Sequence, residues 1–100
     1  MSYLDDLAEE IRSRVPDAAV PEDDDAEKLF RGYAVLLLAK GTNVTREDVH
    51  NAWAAWMLNK EEAHESIVPF DALGADVQRE DSPFVTAIRE AAALLGRPSV

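Results

Sequence analysis

The sequence predicts an all-α protein: a compact bundle of four main helices with a short helical turn, in a single domain. Three observations lead there. No segment alternates apolar and polar residues over a useful length, so no half-buried strand is indicated. Apolar residues recur instead at spacings of three and four in four stretches, and each stretch has a start or stop residue at its ends. The chain has 100 residues, 47% hydrophobic and 30% charged, which is enough for a modest core and argues against disorder.

Taken in order, Leu4, Leu7, Ala8, Ile11 and Val15 make an amphipathic stripe over residues 3–14. Ser2 and Asp5 stand where a capping box would open it, and Pro16 stops it. Residues 16–25, PDAAVPEDDD, read as a solvated loop. The acidic run lacks the alternating ligands, central glycine and terminal glutamate of a calcium loop. The first 25 residues thus form an N-terminal helix and acidic loop, and residues 26–96 carry the core.

The second helix spans Ala26 to Lys40. It is apolar all round from Tyr33 to Ala39, as a central helix covered on several sides would be. Gly32 within it costs about 1 kcal/mol relative to alanine, which suggests a close helix crossing there. Gly41 is placed to cap its end.

Thr45 and Asp48 form the capping box of a third helix, residues 46–58. Val49, Trp53, Trp56 and Met57 lie along one side of it, and Arg46, His50, Trp53 and Met57 form an overlapping stripe. Next, Ile67, Val68, Pro69 and Phe70 make an extended apolar patch expected to tuck against that helix. Short helical turns follow over 71–80, offering Val77 to the core. Ser82 as cap and Pro83 in the first turn start the last helix, over 83–95. Its inner face holds Phe84, Ile88, Ala91, Ala92 and Leu95.

Charge and composition narrow the function. The net charge is −10, which opposes binding to nucleic acid or an anionic membrane. The charge is uneven: residues 1–27 carry ten acids against Arg12 and Arg14. The stretch 28–60 sets Lys28, Arg31, Lys40, Arg46 and Lys60 against only Glu47 and Asp48. An anion would be steered to that stretch, or to Arg89 and Arg97. No apolar run reaches the roughly 18–20 residues of a bilayer span. The N-terminus lacks the pattern of a signal peptide, so a cytoplasmic location is expected.

With no cysteine and two histidines fourteen residues apart, no metal site is indicated. Phosphate-binding glycine loops and nucleophile elbows are missing. The expectation is therefore a protein that is not an enzyme and needs no cofactor.

From His50 onward the chain resembles the ryanodine receptor repeat. That family carries a helix with H-x-x-W, an H-P-x-L-V-P-Y/F-x-x-L stretch, an acidic segment and a closing helix. The corresponding residues here are VHNAWAAW, HESIVPFDAL and ADVQREDSPFVTAIREAAALLG, over about residues 47–96. His50 and Trp53 match the first motif; His64, Ile67, Val68, Pro69, Phe70 and Leu73 match the second; Asp81 matches the acid before the last helix. The family's Gly-Trp-x-Tyr-Gly element is replaced by MLNKEEA, and Glu65 stands in place of a proline. KGTNVTREDVH is also similar to a pattern in small stand-alone proteins of actinobacteria and their phages.

The resemblance implies a binding module. Its ligand would be a nucleotide-derived signal, of the cyclic nucleotide or ADP-ribose type. Trp53 or Trp56 would stack on the base, Arg46 and Lys60 would pair with phosphate, and His50 and His64 would hydrogen-bond. On residue pattern alone, the tryptophans and Met57 read as core, and the histidines as ties between the Val-Pro-Phe patch and the third helix. A second function class is an acidic interaction module, or inhibitor, for a basic protein partner. A third is a homo-oligomeric part that buries apolar surface on helix one or the second helix.

Overall fold

In a computed structural model the chain is all-α. The structure describes residues 3–21, 26–58 and 67–95. Helix α1 spans Tyr3–Ser13, α2 Ala26–Lys40, α3 Arg46–Leu58, α4 Ala75–Arg79 and α5 Ser82–Leu95. Single 3₁₀ turns lie at Asp17–Ala19, Gly41–Asn43 and Phe70–Ala72. The expected Ser2 cap lies outside the described residues.

Helix α1 packs chiefly along α2, and α5 lies across both. The core is built from stripes at helical spacing: Leu7, Ala8 and Ile11 of α1, Leu29, Phe30, Tyr33, Ala34 and Leu37 of α2, and Val85, Ile88, Ala91 and Ala92 of α5. Phe30 meets Tyr33 edge-on, with ring centroids 5.6 Å apart, and Phe84 leans on Tyr33 at 5.4 Å. Such pairs contribute about 0.5–1.5 kcal/mol each beyond area burial.

The α2–α3 corner follows from local chemistry. Gly41 takes a φ of 59°, a left-handed conformation that lets the chain leave α2 without strain. Arg89 Nε of α5 donates to the Val44 carbonyl at 2.8 Å, tying the corner to the last helix. At the start of α3, Thr45 N donates to Asp48 Oδ2 (2.9 Å) and Asp48 N donates to Thr45 Oγ1 (3.2 Å). This reciprocal pair satisfies two otherwise orphaned amides. Desolvation raises the Asp48 pKa, but the Thr45 hydrogen bonds and the Lys40 ammonium outweigh it, leaving it below the ordinary value.

Several expectations are corrected. Helix α2 is not covered all round: Val35 and Leu38 are 53% and 51% exposed, because α1, α3 and α5 pack on its other sides. No atom outside the local helix lies within 4 Å of a Cβ placed on Gly32, so no close crossing uses that glycine. The last helix begins one residue early. The Asp81 carbonyl accepts from Phe84 N and Val85 N, so Asp81 rather than Ser82 holds the cap position. Phe70, Val77 and Phe84 are only partly buried, and Leu95 is exposed.

Candidate ligand-binding cleft

The capping box sets the rotation of α3, and with it the direction of the His50–Trp53 stripe. His50 is 3% exposed, buried although polar. Its Nε2 lies 2.6 Å from the Val68 carbonyl. A carbonyl can only accept, so Nε2 carries the proton and donates. The imidazole stacks on the Trp53 ring at 5.8 Å with 27° between planes, and the Phe70 ring centroid lies 6.1 Å from that of His50, tilted by 55°. His50 therefore ties the Val68–Phe70 segment to α3, as the packing reading of the sequence expects.

Gln78 secures the segment further on, donating from Nε2 to the carbonyls of Phe70 (3.0 Å) and Leu73 (3.1 Å). These bonds carry the chain from the Val-Pro-Phe patch into α4 and on to the α4–α5 corner. That corner brings Glu80 and Asp81 opposite α2 and α3.

The result is a cleft of about 340 Å³ whose walls include Tyr33, His50, Trp53, Glu80, Asp81 and Phe84. Its size falls at the lower end of small-ligand sites. Tyr33 comes from α2, His50 and Trp53 from α3, Phe84 from α5, and the two acids from the corner. Desolvation pushes the Asp81 carboxyl up to about 6, Glu80 pushes the same way, and the charges of His50 and Arg46 pull it back. Tyr33 is 1% exposed, and burial raises its hydroxyl pKa, with the Asp81 charge adding to the effect.

The residues singled out in the sequence fare differently. His50 and Trp53 line the cleft. Arg46 is exposed and does not line it, although its charge reaches Asp81. Trp56, 8% exposed, belongs to the hydrophobic core and not to the cleft, because its position on α3 turns it toward the bundle interior. Lys60 and His64 lie outside the described residues. Of the other cations considered for an anion, Arg31 pairs with Asp5 at 2.7 Å and Arg89 holds the Val44 carbonyl. Tyr33, Glu80 and Phe84 were not picked out as site residues. The signal available was the Glu80-Asp81 pair ahead of Ser-Pro, which marks a helix entry and leaves two acids at the same corner.

A family model described as Domain of unknown function (DUF7701) matches residues 2–93. The chain belongs to that family. No curated protein and no solved structure matches it. The family match spans every residue that lines the cleft. Among the described residues, no group of three or more histidine, aspartate or glutamate side chains is arranged to hold a metal ion, and no helix is long and apolar enough to cross a membrane.

Proposed function

We propose that the chain is a non-catalytic binding module whose Tyr33–Trp53–Asp81 cleft receives a positively charged group from a basic protein partner. The observation that carries this reading is the cleft's polar lining: Glu80 and Asp81 contribute carboxylates, and among the described residues no lysine or arginine lines the walls. A net charge of −10 adds long-range attraction for a basic partner. The resemblance to ryanodine receptor repeats likewise points to binding rather than catalysis.

A nucleotide-derived ligand is the second reading. The Trp53 ring on the cleft wall favours it, as does Arg46 within electrostatic reach of Asp81. A phosphate brought into the cleft would meet two carboxylates, which sets this reading second. Self-association would use the exposed Val35 and Leu38 of α2.

Calorimetric titration tests the choice. Wild-type protein is titrated with lysine-rich and arginine-rich peptides, cyclic nucleotides and ADP-ribose, at low and physiological salt. Micromolar peptide binding that weakens with salt is the expected result. Nucleotide binding that weakens in Arg46→Ala, with no heat from either peptide, would overturn it.

A further inference from the structure

Resting on that reading, we infer that the group the cleft takes is a guanidinium, stacked on Trp53 and held by the carboxylate of Asp81 with Glu80 beside it. The inference starts from what the walls offer. Glu80 and Asp81, when ionised, only accept hydrogen bonds. Tyr33 reaches the cleft wall while being 1% exposed, and a phenol oxygen can accept as well as donate. The His50 Nε2 proton is already given to Val68. The acceptor-only groups are thus the two carboxylates, and the complement of that pair is a cation that only donates. A guanidinium has five N–H donors and no acceptor.

Shape separates guanidinium from ammonium. The cleft is walled by the flat rings of Trp53, Tyr33 and Phe84, from three different helices. A planar cation stacks on such faces and presents a fork to a carboxylate, whereas an ammonium is a compact, strongly hydrated point charge. The chain's own Arg46 does not occupy this place: it is exposed and absent from the walls, and acts on Asp81 only through its charge.

That last point fixes a sign. Arg46 competes electrostatically with an incoming cation and would assist an incoming anion. Removing it therefore strengthens guanidinium binding and weakens nucleotide binding.

The test uses the full chain and defined probes: N-acetyl-arginine methylamide, its lysine counterpart, methylguanidinium, an arginine-bearing peptide and ADP-ribose. Binding is followed by calorimetry and by the NMR signal of the Trp53 indole N–H. The arginine probe should bind about tenfold tighter than the lysine probe and shift the Trp53 signal. Asp81→Asn, which keeps a good cap residue, should weaken it about tenfold or more. Arg46→Ala should tighten it. A peptide binding much more strongly than methylguanidinium identifies a partner's arginine as the source; equal affinities identify a free guanidinium compound. Arginine and lysine probes binding alike, with no loss in Asp81→Asn, would overturn the guanidinium site while leaving a basic partner in place. No binding by any basic probe would overturn both. A folded Asp81→Asn, verified by circular dichroism, is required for the comparison, and Glu80→Gln at the exposed neighbouring position gives a second variant with a smaller expected loss.

Discussion

Asp81→Asn is expected to make the protein more stable at pH 8 and to leave it nearly unchanged at pH 4. The native carboxyl titrates at about 6, against an ordinary value of 3.8. A raised pKa means that the folded state holds its proton more tightly than the unfolded state. The associated stability is fully present below about pH 3.8 and is lost as pH rises through about 6. At 1.36 kcal/mol per unit the full shift corresponds to about 3 kcal/mol. Asp81 is only partly buried, and solvent screening brings the expected effect to about 1–2 kcal/mol. Besides burial, the groups that act on it are His50 and Arg46 of α3 and Glu80 at the corner, and its own charge acts on Tyr33 of α2. Asparagine cannot ionise and serves equally at a helix cap, so the substitution isolates the charge. Urea melts of both proteins from pH 4 to pH 8 measure it, since their difference cancels the titrating groups that do not interact with Asp81. For a domain of this size each kcal/mol moves Tm by about 4–8 °C. Parallel pH profiles, or a variant less stable at pH 8, would refute the burial argument.

Gly32→Ala should stabilise by about 0.5–1 kcal/mol in thermal melts, because the added methyl meets nothing within 4 Å and the helix loses a flexible residue. Phe30→Ala, at a side chain 1% exposed, should cost about 3–5 kcal/mol by chemical denaturation. Phe70→Ala should cost about 1–2 kcal/mol in the same assay, because that ring is only partly buried. Thr45→Ala should cost about 1 kcal/mol, with a rise in hydrogen exchange confined to the first turn of α3.

The architecture was legible because its signals are local. Thr45 and Asp48, Gly41, and the three-and-four spacing in α1 and α5 each act within a turn or two of chain. The two errors on α2 have one origin. A run such as Tyr33–Ala39 states how apolar a helix is, but not how many neighbours reach it, so Val35 and Leu38 read as covered. Gly32 was assigned a crossing for the same reason: composition gives the cost of a glycine, and only packing shows whether anything offsets it. His50 and Trp53 were found because they stand four and three residues from their stripe neighbours on α3. Tyr33, Glu80 and Phe84 were missed because the cleft joins residues from positions 19 to 84, a separation no periodicity encodes.

The stability and binding predictions meet at one side chain. Ionised Asp81 sits where burial and Glu80 both disfavour its charge, and His50 and Arg46 offset only part of that penalty. Nothing in the fold requires the charge, since the backbone carbonyl of residue 81 accepts the two amides that open α5 and asparagine would do the same. In the proposed complex a bound cation would supply what the fold lacks. It would offset the desolvation of the carboxylate, so the penalty borne by the free protein would become part of the preference for a positively charged ligand. Asp81→Asn should then move stability and affinity in opposite directions, with melting temperature at pH 8 rising and guanidinium affinity falling. A variant that gained stability and kept its affinity would separate the two and leave Asp81 as a charge with no ligand to answer it.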